Sequence, residues 1–260
     1  LVSLRYHYAA SIKGASVPVH LTDRKPSQPE SYVSNSKSII SNQTGIHDKL
    51  ETVVKRHLSS PFRRPFPEFS LQAFEQASQW LDKQSATTLI FDSYCGVGES
   101  TVALAKRHPD AAIIGLDKSL HRLDKHDEHY RDNNGNSDTN YQKNYLLLRA
   151  DVDDFWRLAV QAGWKLDYHY LFYPNPWPKS HHLKRRCQGS PLFPSLLQLG
   201  GQLQLRSNWD IYVKEFAAAL NIAGHPAQAL EFNPDAPITP FERKYQLAGQ
   251  TLWRCVCSLN

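Results

Sequence analysis

From residue 87 onward, short apolar runs alternate with helical patterns across loops of a few residues. That alternation forces a mostly parallel sheet with helices on both faces, because parallel strands need a crossover between them. Thr88–Phe91, Ala111–Leu116, Tyr145–Leu148 and Tyr168–Tyr173 are the first four predicted strands. Gln202–Leu205, Ala227–Phe232 and Leu252–Cys257 complete a seven-stranded, Rossmann-like α/β sheet. Helices are expected over Glu99–Arg107, Lys118–Tyr130, Asp153–Ala162 and Asp210–Leu220, with a polar surface insertion at Asn133–Asn140.

Upstream, the sequence divides in two. Residues from about Gly14 to Thr44 are dense in Ser, Pro, Asn and Gln and almost free of hydrophobic periodicity, which predicts a flexible arm over residues 1–46. Residues 47–86 carry Leu50, Val53 and Val54 at helical spacing, then Pro61, Pro65 and Pro67, then a second helix over Leu71–Leu81, forming a helical extension before the domain at 87–260. No stretch approaches the roughly 18 apolar residues of a membrane helix, and no secretory leader pattern opens the sequence, so the expectation is a cytoplasmic protein. Cys95, Cys187, Cys255 and Cys257 have neither zinc-site nor disulfide spacing, so no structural metal is expected. Cys255 and Cys257 share one strand face as core residues.

Open parallel sheets bind ligands at the carboxyl ends of their strands. After the first strand comes Asp92-Ser-Tyr-Cys-Gly96-Val-Gly98, two glycines that allow a sharp turn and close approach to a ligand before the helix. Thr101 stands where a dinucleotide site would need a third glycine, which argues against NAD. Asp92 suits a cationic amine, Asp117 the two hydroxyls of a ribose, and Asp151 an adenine amino group. Taken singly, each acid could be only a helix cap. Together at adjacent strand ends they describe a pocket for S-adenosylmethionine.

The fourth strand runs into Tyr173-Pro-Asn-Pro-Trp-Pro-Lys-Ser-His-His-Leu-Lys-Arg-Arg186. Three prolines stiffen the exit and present Asn175 and Trp177 over the pocket. Lys179, His181, His182, Lys184, Arg185 and Arg186 follow as a basic cluster suited to phosphates. Lys55, Arg56, Arg63 and Arg64 could extend that track. The overall excess of 30 Lys and Arg over 25 Asp and Glu is compatible with a polyanion and does not require one.

The Pro-Trp-Pro-Lys...His-x-Lys-Arg-Arg element resembles the tRNA (guanine-N7-)-methyltransferase family, and the similarity runs in order through residues 47–257. Ser207-Asn-Trp209 and Thr239-Pro-Phe-Glu242 support it. The resemblance implies methyl transfer from S-adenosylmethionine to N7 of a variable-loop guanine in tRNA. It assigns cofactor contacts to Asp92, Gly96, Gly98, Asp117, Asp151 and Asn175, with Asn175 also aligning the reactants as the catalytic residue. Lys179 is implied to touch substrate and His181–Arg186 to hold tRNA. Asn208 falls at a guanine-contacting position, and Thr239, Phe241 and Glu242 in a segment lining the guanine pocket.

Three positions depart from the family pattern. Tyr94 replaces the first loop glycine and could crowd the methionine moiety; Asn175 and Asn208 replace carboxylates. An amide has one acceptor oxygen and cannot take both donors of a guanine edge. At roughly 1.5–3 kcal/mol per charged hydrogen bond, two such losses weaken guanine recognition by orders of magnitude. Two other readings stay open. One is an enzyme acting on exocyclic amino groups through Asn175-Pro-Trp-Pro; the other is a paralogue that binds RNA or a protein without catalysis.

Overall fold

A computed structural model describes residues 36–130 and 144–260, with the side chains of residues 127–130 outside that description. The expected insertion at Asn133–Asn140, and most of the expected arm, lie outside the described residues.

Two helices, α1 (Leu50–Ser59) and α2 (Glu68–Leu81), precede the sheet. Then follow β1 (Thr88–Ser93), α3 (Glu99–Arg107), β2 (Ala111–Asp117), α4 (Leu120–Tyr130), β3 (Tyr145–Arg149), α5 (Val152–Gln161) and β4 (Tyr168–Phe172). After two short 3₁₀ turns come α6 (Phe193–Leu199), β5 (Gln202–Ser207), α7 (Asp210–Ile222), β6 (Ala229–Phe232), α8 (Pro240–Leu247) and β7 (Leu252–Ser258). The sheet order is β3-β2-β1-β4-β5-β7-β6. Strands β1 to β5 pair in parallel, while β7 runs antiparallel between β5 and β6.

Every residue of β2 is buried, which explains its unbroken apolar run: helices cover both faces of a central parallel strand. Alternate side chains feed two apolar clusters. One gathers Phe91, Leu171 and Leu205 with Cys255 and Cys257, as their shared strand face predicts. The other holds Ile90, Ile113 and Phe172. The helical extension joins the first cluster through Leu50, Val54 and Ala77. Phe74 of α2 lies edge-on to Phe155 of α5 at 5.3 Å and beside Trp164 at 4.8 Å, tying the extension to the sheet.

The strand order reverses between β1 and β4, β2 continuing to one side and β5 to the other. In open α/β sheets that reversal leaves a crevice above the carboxyl ends.

Candidate active site

A cavity of about 510 Å³ opens at that crevice, within the roughly 300–1,000 Å³ typical of ligand pockets. Its β2 and β3 side carries Asp117, Lys118, Ser119, Arg122 and Asp151. Its β4 side carries Pro174, Asn175, Trp177 and Arg185, with Tyr94, Asp153, Cys187 and Tyr212 also in the lining.

The loop after β1 is shaped by three left-handed residues, Tyr94 (φ 65), Gly96 (φ 63) and Gly98 (φ 77). At Gly98 the requirement is also steric. An added Cβ would lie 2.6 Å from Leu147 Cδ1 and 2.8 Å from His126 Nδ1, so those side chains of β3 and α4 would have to shift to admit one. Gly96 N–H donates to Asp117 Oδ2 at 3.0 Å, which locks the loop to the end of β2. The Tyr94 ring turns toward α5, edge-on to Trp156 at 6.0 Å, with its hydroxyl 3.4 Å from Asp153 Oδ1. The bulk that replaces glycine is therefore directed at the α5 wall, and the cavity persists beside it.

The three strand-end acids have different fates. Asp117 and Asp151 line the cavity; Asp92 does not. Asp92 is fully buried, and its Oδ2 accepts from Ser100 Oγ at 2.6 Å and Thr101 Oγ1 at 2.7 Å, which ties β1 to the start of α3. Its Oδ1 is buried without a partner among the described residues. Burial raises its carboxyl to about 6, opposed by the two hydroxyls. Thr101, which stands where a dinucleotide site would need glycine, is thus one of two hydroxyls that hold the Asp92 carboxylate in the core. Asp117 accepts from Gly96 N, Ser119 N and Arg122 Nη1, and Asp151 caps α5 through Asp153 N and pairs with Lys118 at 3.0 Å.

Lys118 and Arg122 are 75% and 54% exposed. Their partners Asp151 and Asp117 are much less exposed, at 16% and 4%, so each acid is presented at the cavity wall under a mobile-headed cation. A pocket that offers two acids at the ends of β2 and β3, beside a glycine-turned loop, fits the hydroxyl and amino donors of a nucleoside.

On the β4 side, Trp177 is held in the left-handed region (φ 48), and its backbone N–H donates to Asn175 Oδ1 at 3.2 Å. The Arg185 guanidinium lies 4.8 Å over the Trp177 ring and His182 sits edge-on at 5.5 Å. Lys179, His181, Lys184 and Arg185 are exposed along the first 3₁₀ turn, Ser180–Arg185, and His182 is partly buried.

Arg186 corrects the expectation drawn from the basic run. It is fully buried, forms an ion pair with the equally buried Glu215, and donates to the carbonyls of Trp177 (3.1 Å) and Lys179 (3.3 Å). No phosphate reaches it; it holds the backbone from which its neighbours project. Residues 41–47, mostly within the stretch assigned to the arm, close over the same pair. Gln43 bonds both Arg186 and Glu215, His47 N–H donates to Glu215, and Ser41 Oγ donates to Pro178 O at 2.5 Å. A polar stretch without periodicity is ordered here by hydrogen bonds, which leave no apolar pattern to read.

The C-terminal assignments separate from the cavity as well. Glu242 is fully buried, accepting from Tyr173 Oη, Arg206 Nη1 and Ile238 N, each at 2.8–2.9 Å. Thr239 caps α8 through Glu242 N, and Phe241 is exposed and stacked on Tyr245. Asn208 donates to Gln250. None of these four lines the cavity. Arg64, expected in the phosphate track, instead bonds the buried Asp154 at 2.6 Å. Nothing in the sequence assigns Tyr212, Cys187 or Asp153 to the cavity, because their approach depends on how α5, α7 and the second 3₁₀ turn (Cys187–Gly189) pack.

The sequence profile of a family described as "Putative methyltransferase" matches residues 86–255, from before β1 into β7. The chain belongs to this methyltransferase family. Among its relatives, the tRNA (guanine-N(7)-)-methyltransferase of Neisseria meningitidis serogroup B is 26% identical over 177 residues, 62% of this chain and 67% of the relative. The enzyme of that name from Leifsonia xyli subsp. xyli is 27% identical over 168 residues, 61% of this chain and 70% of the relative. Among solved structures, the 16S rRNA methyltransferase KamB superposes with a TM-score of 0.51 at 15% identity, covering 75% of this methyltransferase and 95% of KamB, a likeness of fold. The sheet is thus the seven-stranded, mostly parallel, Rossmann-like one expected. No helix among the described residues is long and apolar enough to cross a membrane, and no metal-binding cluster of His, Cys, Asp and Glu occurs among them.

Proposed function

We propose that this chain transfers the methyl group of S-adenosylmethionine to N7 of a guanine in tRNA, with a variable-loop guanine as the target. The observation that carries the reading is the junction at the end of β4. There Asn175 and Trp177 border the cavity while Lys179, His181, Lys184 and Arg185 are exposed directly beyond them. A base entering the cavity would leave its backbone against that basic run. The names of the two relatives support the same substrate.

Asp117 and Asp151 would hold the ribose and adenine of the cofactor, with Gly96 and Gly98 shaping the loop beneath it. The bound cofactor supplies a sulfonium-activated methyl group. Guanine N7 already carries a lone pair, so the protein's task is alignment, which the rigid Pro174–Pro178 exit serves through Trp177. The domain at 87–260 would carry the chemistry and the helical extension would buttress it, and a tRNA substrate agrees with the cytoplasmic location expected from the sequence. Asn175 Oδ1 is engaged by Trp177 N–H, which uses the oxygen an exocyclic-amine enzyme would point at its substrate.

The test is nucleoside mass spectrometry of unmodified tRNA incubated with the protein and S-adenosylmethionine. The expected product is 7-methylguanosine. An N6- or N2-methylated nucleoside would transfer the assignment to exocyclic amines, and binding without any product would make the chain an RNA-binding paralogue.

A further inference from the structure

The first 3₁₀ turn, Ser180–Arg185, carries His181, Lys184 and Arg185 exposed beyond the cavity, and it begins without a cap of its own. Its first N–H, that of Ser180, has no partner within the turn, because the turn's hydrogen bonding starts with His182 N–H on Lys179 O. The residue in the capping position is Lys179, whose side chain has no acceptor. The missing acceptor comes from 138 residues upstream. Asn42 Oδ1 accepts from Ser180 N–H at 3.0 Å, and Asn42 Nδ2 reaches Ser180 Oγ at 3.4 Å.

Asn42 is itself held in place from both sides. Ser41 Oγ donates to Pro178 O at 2.5 Å, and Gln43 Oε1 accepts from the buried Arg186 at 2.9 Å. Farther back, Ser36 O accepts from Gln250 Nε2 at 2.9 Å, and Gln250 in turn accepts from Asn208. Residues 36–47 thus form a strap fastened along its length, and three consecutive residues of it grip Pro178, Ser180 and Arg186, which bracket the exposed cations. A cap matters most where little else orders the element. This turn is six residues long and buries only Leu183, and 3₁₀ hydrogen bonds are poorly aligned. Cations already held in one arrangement lose less freedom when they meet a row of phosphates. We propose that Asn42 is a positioning residue for RNA binding, capping the basic turn from outside the methyltransferase domain so that Lys179, His181, Lys184 and Arg185 stay arrayed beside the cavity. The inference rests on the tRNA reading above for its ligand, and it adds a part of the chain that lies upstream of the matched residues 86–255.

The test separates the order of the turn from its use. Hydrogen exchange of the whole chain is followed over Ser180–Arg185 with no RNA present. Asn42→Ala should exchange there about three- to tenfold faster than the unmodified protein, whereas Asn42→Asp, which keeps the acceptor oxygen, should exchange at the unmodified rate. The exchange of β2 should be the same in all three. A tRNA transcript is then titrated into each protein saturated with S-adenosylhomocysteine. Asn42→Ala should bind it about three- to tenfold more weakly, with affinity for S-adenosylhomocysteine kept within about twofold. Exchange of the turn untouched by Asn42→Ala overturns the proposal, and so does equally fast exchange in Asn42→Asp. Transcript affinity unchanged beside a loosened turn overturns it as well, and so does a parallel loss of protection in β2, which would make Asn42 a general support of the fold. Absence of 7-methylguanosine in the transfer assay, by contrast, counts against the proposed reaction and leaves both readouts interpretable.

Discussion

Arg185 and Arg186 are adjacent in sequence and opposite in duty. Arg185 is exposed over the Trp177 ring, whereas Arg186 is enclosed with Glu215. Arg185→Ala should therefore lower tRNA affinity and reduce the salt slope by about one, with the melting temperature unchanged. Arg186→Ala leaves a buried carboxylate unpaired and should cost about 3–5 kcal/mol in chemical denaturation. Equal effects of the two substitutions on stability would refute this division. Asp92 gives a pH prediction. Its folded carboxyl titrates near 6, above the 3.8 of the unfolded chain, so the folded state takes up a proton first as pH falls. Stability then rises between pH 6 and 4 by an amount on the order of 1–3 kcal/mol, and this gain is absent from Asp92→Asn. Denaturation midpoints across that window, read as the difference between the two proteins, provide the check.

At the scale of elements, the strands and the helices between them were legible because two periodicities and short loops admit few alternatives, and α3 was expected with the boundaries it has. Two helices were not. α6 is seven residues long with a proline in its first turn, too short to show a period between the basic run and β5. α8 carries a readable signal, Thr239 as cap with Pro240 and Glu242 behind it, but the family resemblance puts that segment in the guanine pocket. For the site, the residues legible in sequence are those fixed by strand ends, namely Asp117, Asp151, Asn175 and Trp177. What escaped is burial: whether Asp92, Arg186 or Glu242 faces the cavity or the core is decided by elements distant in sequence. Gly98 tests the loop as an element. Gly98→Ala must hold φ 77 and push against Leu147 and His126. It should destabilise the fold by about 2–4 kcal/mol from backbone strain and overpacking combined, measured by urea denaturation. A neutral effect would show that β3 yields easily.

Across the whole molecule, a net charge of +5 is modest, and the exposed cations beside the cavity matter more than the total. With Lys179, Lys184 and Arg185 contacting phosphates, the logarithm of tRNA affinity should fall with that of salt at a slope of about −2 to −3 from this run alone. A flat titration would remove the polyanion from the account. The sheet order carries a different implication. β7, last of the seven described strands in sequence, lies between β5 and β6, and among the described residues β6 pairs with no other strand. During synthesis, β5 therefore waits with an open edge until residue 258 has left the ribosome, while the crevice between β1 and β4 can already close. A nascent chain has the cavity-bearing half of its sheet assembled before the other edge is sealed, and chaperones or proteases would meet it first along β5.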